Sequence, residues 1–181
     1  MSGTTITVFG SARSLPGSPE YSLAEQLGRL IAQAGWTVCN GGYGGTMEAA
    51  AKGAHAAGGQ AIGVTCSIFD GRGSANPYIT QEIPTPDLPA RLDALVRLGH
   101  AYVVLPGGTG TLLELALVWE LLSKRLVADL RPVILVGGHW LPVLQPISKA
   151  QPDAFELQTA ADAPGVISLL TAALPHNPTR A

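Results

Sequence analysis

The sequence predicts an α/β fold, in which a doubly wound, Rossmann-like parallel sheet carries helices on both faces. Short strand-like runs alternate along the chain with longer segments of helical periodicity. These runs are largely apolar, which is typical of parallel strands covered on both faces. Glycine-rich turns follow three of them. Because the 181 residues contain no internal repeat and no linker, we expect residues 1–181 to form a single domain.

The predicted elements follow one another in strand–helix order. The first helix is predicted over residues 22–35, with a capping-box spacing at Ser22 and Glu25 and a suitable end at Gly35. Residues 66–87 are rich in turn residues and prolines, and we expect them to form a lid or binding loop. The other helices are predicted over 46–58, 88–99, 111–125 and 161–174, and the strands over 5–10, 36–40, 60–65, 101–106 and 131–138.

Composition and charge exclude several classes of protein. The chain is 46% hydrophobic and 13% charged, with a net charge of −2 and a pI near 6.0. No Lys/Arg cluster is present to neutralise phosphates, so we expect no nucleic-acid partner. No signal sequence and no stretch of about 18 apolar residues occurs, so we expect a cytoplasmic protein without a membrane partner. Cys39 and Cys66 lie in or beside apolar runs, and we expect buried, reduced thiols rather than a disulfide.

Three strand-to-helix turns carry the glycines: "FGSARS" at 9–14, "NGGYGGTME" at 40–48 and "PGGTGTLLE" at 106–114. In a doubly wound sheet, ligands bind at the carboxyl edge of the strands. A helix N-terminus offers unpaired N–H groups to an anion, and glycine lets the backbone approach it closely. The third turn therefore predicts a phosphate site, with the hydroxyls of Thr109 and Thr111 as additional donors.

Two plainer interpretations of the turns stay open. Glycines occur at strand-to-helix turns for reasons of fit alone, and Thr111 and Glu114 have the spacing of a capping box. Neither the dinucleotide fingerprint G-x-G-x-x-G nor the P-loop appears in proper form, and no lysine directly follows a turn. A kinase, an ATPase or a nicotinamide dehydrogenase is therefore disfavoured.

The segment 106–114 resembles the PGGxGTxxE signature of the LONELY GUY (LOG) family. The similarity covers about residues 5–140, including the opening strand, turn and helix at 8–36 and the second turn and helix at 40–64. The resemblance implies a phosphoribohydrolase of the cytokinin riboside 5′-monophosphate type. Such an enzyme hydrolyses the N-glycosidic bond of a nucleoside 5′-monophosphate to free base and ribose 5-phosphate. The resemblance also implies a homodimer, and we predict no cofactor.

The resemblance assigns the site residues. Arg91, fifteen residues before Pro106, and the motif glutamate Glu114 are implied to be the catalytic pair. Without the resemblance, Arg91 would be read as a surface residue that pairs with Asp87. Ser11 is either a ligand of phosphate or ribose or a plain turn serine. The substrate-binding residues are predicted to be Gly10, Ser11, Gly41, Gly42, Gly45, Gly107, Gly108, Thr109, Gly110 and Thr111.

Several residues depart from the family pattern. Leu92 stands in place of a lysine, Leu113 in place of a frequent second glutamate and Trp119 in place of a frequent threonine, while Glu48 replaces a glycine. These changes leave the phosphate end intact and alter the base end, so the resemblance does not define the base.

The hypothesis for the chemistry is an oxocarbenium-like ribose stabilised by Glu114. We expect Glu114 in the first turn of its helix, kept ionised by the helix dipole, where it activates water or binds ribose hydroxyls. Arg91 holds the phosphate or orients Glu114. The apolar stripe on this helix is expected to be a buried face and in part a dimer interface. It comprises Leu112, Leu115, Ala116, Trp119 and Leu122.

Other chemistries find little support. The four histidines, at 55, 100, 139 and 176, have no metal-ligand spacing, so no metal site is predicted. None of the three lysines lies at a glycine turn, which disfavours a pyridoxal phosphate enzyme. The main alternative is a non-catalytic protein of the same fold that binds or carries a nucleotide or the molybdenum cofactor. A nucleotide-sensing regulator is a third possibility.

Overall fold

The computed structural model describes residues 3–72, 75–127 and 131–174. Strands and helices alternate along most of this length, and a short 3₁₀ segment, Ser67–Arg72, follows the third strand. The strands are β1 (Thr5–Phe9), β2 (Thr37–Asn40), β3 (Ala61–Cys66), β4 (Gln81–Thr85), β5 (Ala101–Val104), β6 (Val133–Val136) and β7 (Gln158–Ala160). The helices are α1 (Pro19–Gln33), α2 (Thr46–Ala56), α3 (Leu88–Leu98), α4 (Thr109–Ser123), α5 (Leu141–Ala150) and α6 (Ala163–Ala173).

The seven strands form one sheet in the order β4-β3-β2-β1-β5-β6-β7. Every neighbouring pair is parallel. In the middle of the sheet, Ile6 of β1 lies beside Val38 of β2 on one side and Ala101 of β5 on the other. The predicted doubly wound, Rossmann-like parallel sheet is confirmed.

Two hydrophobic layers cover the two faces of the sheet. Side chains of a strand point alternately to opposite faces, so Val103 of β5 packs in one layer and Val104 in the other. Helices α1, α2 and α6 cover the first face, and α3, α4 and α5 cover the second. Burial of the strands on both faces explains why the central runs are largely apolar.

The ends of the sheet contain elements that the sequence pattern did not predict. Residues 66–87, expected to be a lid or binding loop, instead include the 3₁₀ segment and β4, so this prediction is wrong in part. β4 is an edge strand whose first two residues are exposed, and an edge tolerates Pro84. β7 has three residues. α5 contains Pro146 and buries only Leu144, so helical periodicity is weak there.

The first helix begins earlier than predicted. Its N-cap is Ser18, whose hydroxyl accepts a hydrogen bond from the N–H of Tyr21, and Pro19 occupies the first turn. The capping box proposed for Ser22 and Glu25 is therefore wrong. Gly35 has a φ of 78° and follows the end of the helix, as predicted.

Both cysteines, Cys39 and Cys66, are free and buried, which confirms the expectation of reduced thiols. Burial raises the pKa of the Cys39 thiol to about 12, so this thiol is unreactive at neutral pH. Within the described ranges, none of the helices combines the length and the apolar character that a membrane crossing requires.

Helices α1 and α2 approach each other at two glycines. A Cβ on Gly28 would overlap the carbonyl oxygen of Ala50, and one on Gly53 would overlap that of Glu25. Alanine in a helix is ordinarily favoured over glycine by roughly 0.5–1 kcal/mol. Because backbone atoms block the added methyl group here, we expect Gly28→Ala to lower the free energy of unfolding by about 1–3 kcal/mol. Urea denaturation measures this free energy of unfolding. Gly138→Ala is the control, because a Cβ on Gly138 would meet nothing within 4 Å. Increased stability of Gly28→Ala would contradict the prediction.

Candidate active site

The order of the sheet reverses between β1 and β5, which are neighbours near its middle. The chain leaves β1 toward α1 on one face and leaves β5 toward α4 on the other face. The two connections therefore diverge and open a cleft at the carboxyl ends of these strands. This is the position at which doubly wound sheets bind their ligands.

A cleft of about 590 Å³ lies at this position, within the roughly 300–1,000 Å³ range of small-molecule sites. Nine of the twelve predicted site residues line it. They are Gly10, Ser11, Gly41, Arg91, Gly108, Thr109, Gly110, Thr111 and Glu114.

The other three predicted residues, Gly42, Gly45 and Gly107, are not among the residues lining the cleft. Gly42 has a φ of 79°, and its N–H donates to Oδ1 of Asn40 at 2.8 Å. Gly45 has a φ of 70° and is the N-cap of α2. A Cβ on Gly107 would overlap the side chain of Thr111. These glycines give the turns their shape, and their predicted contact with substrate stays a prediction.

The first glycine turn is tied to the start of α2. The carbonyl oxygen of Ser11 accepts hydrogen bonds from the N–H of Thr46 at 2.9 Å and from its hydroxyl at 3.1 Å. The hydroxyl of Ser11 accepts from the N–H of Arg13 at 3.1 Å. A Cβ on Gly10 would overlap the Thr46 hydroxyl. The turn is thus held by its backbone, and the Ser11 hydroxyl lies at the wall of the cleft with one acceptor site already used.

Arg91 points into the protein from α3. Asp87 is the N-cap of this helix, and its carboxylate accepts a hydrogen bond of 2.8 Å from the N–H of Ala90. Arg91 lies one turn after Asp87 and is only 7% exposed. The alternative in which Arg91 is a surface residue paired with Asp87 is therefore wrong.

The Arg91 guanidinium is held on several sides. Its Nε donates a hydrogen bond of 2.9 Å to the carbonyl oxygen of Val64. Its Cζ lies 5.9 Å from the ring centre of Tyr43 and 5.8 Å from that of Phe69. A Cβ on Gly41 would overlap Nη2 of Arg91, so the glycine of the second turn makes room for the guanidinium. One edge of the group remains directed at Glu114.

Glu114 and Arg91 form an ion pair in the wall of the cleft. Oε1 of Glu114 lies 3.6 Å from Nη1 of Arg91, and the two side chains are 12% and 8% exposed. Burial raises the pKa of Glu114 to about 7, and the charge of Arg91 opposes this rise. A carboxyl with a pKa near neutrality exchanges protons readily at physiological pH.

The helix dipole does not keep Glu114 ionised, contrary to the prediction. α4 begins at Thr109, so Glu114 lies in its second turn, and the first turn contains no acidic residue. Gly108 is the N-cap and no side chain caps the helix, so the proposed capping box of Thr111 and Glu114 is wrong as well. The effect of the dipole falls off beyond the first turn of a helix, whereas burial raises the pKa of this second-turn carboxyl group.

The N-terminus of α4 is open toward the cleft. Gly108, Thr109 and Gly110 are exposed, and a Cβ on either glycine would meet nothing within 4 Å. The N–H groups of a first helical turn have no partner within the helix. An anion bound here would lie beside Arg91 and Glu114, which line the same cleft.

The departures from the family pattern fall in two places. Leu92 and Leu113 line the cleft, whereas Trp119 and Glu48 do not. Trp119 donates a hydrogen bond of 2.8 Å from Nε1 to the carbonyl oxygen of Phe155 and is buried in the second hydrophobic layer. Its assignment to the base end is therefore wrong.

Glu48 accepts a hydrogen bond of 3.2 Å from the hydroxyl of Tyr21, a contact between α2 and α1. Glu48 does not line the cleft either, so its assignment to the base end is also wrong.

The apolar stripe of α4 faces mainly the chain's own core. Leu115, Trp119 and Leu122 are buried in the second layer, and Leu112 is partly buried against it. Ala116 is exposed. The predicted buried face is confirmed, and it leaves little of this stripe for an interface between subunits.

The cleft-lining residues that sequence reasoning did not assign to the site include Arg13, Met47 and Phe69. Arg13 lies within the first glycine turn, at 9–14, and Met47 within the second, at 40–48, so their positions could have been read from the turns. Phe69 lies in the irregular segment after β3, where no periodicity indicates which side chains point inward.

A larger cavity, of about 850 Å³, lies beneath α5. Among its lining residues are Trp119, Leu144 and Phe155. It lies away from the glycine turns and from the buried Arg91–Glu114 pair, so the smaller cleft is the stronger candidate for chemistry. No cluster of three or more His, Cys, Asp or Glu side chains that could hold a metal ion occurs in the described part of the chain.

The fold and this cleft define a Rossmann-like α/β protein with a cleft of small-molecule size at the switch point. The chain also matches the model of a known protein family. It belongs to the SLOG cluster4 family, whose model matches residues 3–152, and the predicted relation to LOG proteins is confirmed.

Several curated relatives carry names that describe an activity. The cytokinin riboside 5′-monophosphate phosphoribohydrolase of Mycobacterium tuberculosis is 33% identical over 171 residues, or 87% of this chain and 88% of the relative. The pyrimidine/purine nucleotide 5′-monophosphate nucleosidase of Escherichia coli K12 is 32% identical over 126 residues. This second alignment covers 65% of the chain but only 28% of the longer relative.

Solved structures of similar shape include two proteins with molybdenum-cofactor names. The molybdenum cofactor binding protein of Rippkaea orientalis aligns with a TM-score of 0.75 and 28% identity, over 95% of this chain and 98% of its own. The molybdenum cofactor carrier protein of Chlamydomonas reinhardtii aligns with a TM-score of 0.75 and 26% identity, over 94% and 97% of the two chains.

Proposed function

We propose that the chain is a phosphoribohydrolase that hydrolyses the N-glycosidic bond of a nucleoside 5′-monophosphate to free base and ribose 5-phosphate. The observation that carries this proposal is the buried Arg91–Glu114 pair, at 3.6 Å, in the wall of the cleft that also contains the open N-terminus of α4. A phosphate bound by the amides of α4 would leave the ribose beside the carboxylate. The relatives named as a phosphoribohydrolase and a nucleosidase support the same chemistry.

The reaction follows from this arrangement. The C1′–N bond breaks with its electron pair moving to the base, and the ribose acquires oxocarbenium character. Ionised Glu114 stabilises the positive charge and accepts a proton from the attacking water as the C1′–O bond forms. Glu114 then passes this proton to the departing base, so that the hydroxyl of the water is on the ribose, its proton is on the base and the carboxylate is ionised again. Arg91 orients the carboxylate and contributes positive charge toward the phosphate.

A carrier of the molybdenum cofactor is the second candidate. It is favoured by the structural neighbours with that name, which align over nearly the whole chain. A carrier would use the same open helix N-terminus to hold an anionic group and would need no proton-transferring carboxylate. The raised pKa of Glu114 favours the enzyme.

The proposal is tested by incubating the protein with a panel of purine and pyrimidine nucleoside 5′-monophosphates and measuring free base and ribose 5-phosphate. We expect stoichiometric release of both products from at least one nucleotide. The matching nucleosides, which lack the phosphate, are the controls and should be turned over far more slowly. Tight binding of nucleotides without any release would favour a carrier or a sensor and contradict the enzyme.

The state of Glu114 predicts a pH dependence. Because its pKa is raised from 4.5 to about 7, the ionised, active form accumulates only as the pH rises through about 7. We expect kcat/KM to increase about tenfold per pH unit below 7 and to level off above it. The folded state binds this proton more tightly than the unfolded chain does. Raising the pH from about 4.5 to about 7 therefore also lowers the free energy of unfolding. A ¹³C NMR titration of the carboxyl group checks the pKa directly, and a midpoint below pH 5 would contradict it.

We further propose that the protein is a homodimer. Three exposed apolar side chains, Leu141, Val143 and Ile147, lie on α5, and the last two are on the same face of the helix. Contiguous exposed apolar surface on a soluble domain commonly marks an interface. We expect a dimer by light scattering and a monomer for the double variant Val143→Asp, Ile147→Asp. A wild-type monomer at micromolar concentration would contradict the proposal.

A further inference from the structure

Two aromatic side chains from the connection between β6 and α5 hold the glycine turn before α4. Nε2 of His139 lies 3.0 Å from the carbonyl oxygen of Gly107. Nε1 of Trp140 donates a hydrogen bond of 3.0 Å to the carbonyl oxygen of Leu105. The proposed mechanism uses neither side chain, and neither lines the cleft. Both side chains contact the turn through its backbone carbonyl oxygens.

The contact of His139 determines the direction of one amide hydrogen. A trans peptide is planar, so the C=O of Gly107 and the N–H of Gly108 point in opposite directions. Because the carbonyl is turned toward His139, the N–H of Gly108 points to the other side of the turn, and Gly108 lines the cleft. The Trp140 contact has no such consequence, since the residue after Leu105 is Pro106, which has no N–H.

This peptide lies between two glycines and therefore needs an external contact to keep its orientation. Glycine has no Cβ to restrict its backbone, so a flip of the peptide between Gly107 and Gly108 meets little steric resistance. After such a flip, a carbonyl oxygen would face the bound anion in place of a donor. A hydrogen bond to the Gly107 carbonyl favours the orientation that presents the N–H.

Trp140 in turn holds the ring of His139. The two rings meet edge to face, with centroids 4.7 Å apart and planes at 90°, a favourable aromatic geometry. The indole is buried and anchored through its hydrogen bond to Leu105. The imidazole is therefore packed against a fixed partner although His139 itself is exposed.

We propose that His139 is a positioning residue for the phosphate-binding turn, which holds the Gly107–Gly108 peptide so that the Gly108 N–H points at the substrate phosphate. The Nε2–H tautomer and the imidazolium both supply the required donor. The inference rests on the proposed function in that the anion is the phosphate of the nucleotide. It concerns binding of the phosphate and is therefore tested separately from hydrolysis.

The test compares His139→Ala, His139→Gln and the wild type by calorimetric titration with ribose 5-phosphate. The glutamine amide can donate to the same carbonyl, whereas alanine cannot. His55→Ala is the matched control, because His55 is also exposed and packs against an aromatic ring, Tyr78, outside the cleft. Thermal unfolding of each variant verifies the fold, and steady-state kinetics on a nucleotide that the wild type hydrolyses separate KM from kcat.

We expect His139→Ala to weaken binding of ribose 5-phosphate about tenfold and to raise KM by a similar factor with little change in kcat. His139→Gln should bind within about threefold of the wild type, and His55→Ala should bind like the wild type. A merely structural role would lower the melting temperature and leave the dissociation constant of the folded protein unchanged.

Three results would overturn the inference: wild-type affinity in His139→Ala, no recovery in His139→Gln, or no binding of ribose 5-phosphate by the wild type. A wild type that binds ribose 5-phosphate but hydrolyses no nucleotide would refute the proposed function alone. In that case the comparison of the two His139 variants still decides whether this residue positions the turn.

Discussion

Replacing Glu114 with glutamine is expected to lower kcat by about 10³-fold. Glutamine keeps the size and shape of the side chain but neither carries the negative charge that stabilises the ribose cation nor accepts the proton of water. Positioned acid–base groups typically contribute 10²- to 10⁴-fold, and here the same carboxylate also supplies the charge. The measurement is the release of ribose 5-phosphate from a nucleoside 5′-monophosphate under single-turnover conditions.

The fold should survive this change. Burial already raises the pKa of Glu114 to about 7, so a neutral amide suits its surroundings, and we expect only a small change in melting temperature. Glu120→Gln is the matched control, because Glu120 lies on the same helix but is exposed. Turnover of Glu114→Gln at the rate of Glu120→Gln would remove Glu114 from the mechanism.

Replacing Arg91 with alanine is expected to lower kcat/KM by about 10²-fold. The change removes the cation beside Glu114 and the hydrogen bond to Val64, and one hydrogen bond to a charged group is worth about 1.5–3 kcal/mol. Because the charge of Arg91 lowers the pKa of Glu114, its loss should also move the pH profile to higher pH. Kinetics across pH 5–9 measure both effects.

Arg91→Lys and Arg97→Ala complete this test. Lysine keeps a positive charge but has no planar group to bond Val64 and stack between Tyr43 and Phe69, so partial activity is expected. Arg97 lies on the same helix and pairs with Asp93 at the surface, and its loss should leave kcat/KM unchanged. An Arg91→Ala profile that coincides with that of Arg97→Ala would exclude a role at the site.

The middle of the fold could be predicted from the sequence, whereas its edges could not. The residues of strands β1, β2, β3, β5 and β6 are largely apolar because both faces of the sheet are covered, and this pattern could be recognised in the sequence. β4 and β7 lie at the two edges, where burial no longer demands apolar residues. Short, polar strands of this kind cannot be recognised from their own residues, because only pairing with a neighbouring strand defines them.

The parts of the site that belong to local sequence motifs could be predicted. The glycine turns located the carboxyl edge of the sheet, and the resemblance to LOG proteins identified Arg91 and Glu114 although 23 positions separate them. The environment of Glu114 could not be predicted, because desolvation depends on packing from several elements. The same is true of His139, which meets Gly107 only after β6 and β5 pair in the sheet.

The most direct measurement of the central claim is a crystal structure of Glu114→Gln with a bound nucleoside 5′-monophosphate. We predict that the phosphate oxygens lie within hydrogen-bonding distance of the backbone N–H groups at the start of α4 and that C1′ lies beside residue 114, near Arg91. A nucleotide bound beneath α5, or bound in the cleft with its phosphate away from α4, would contradict the account.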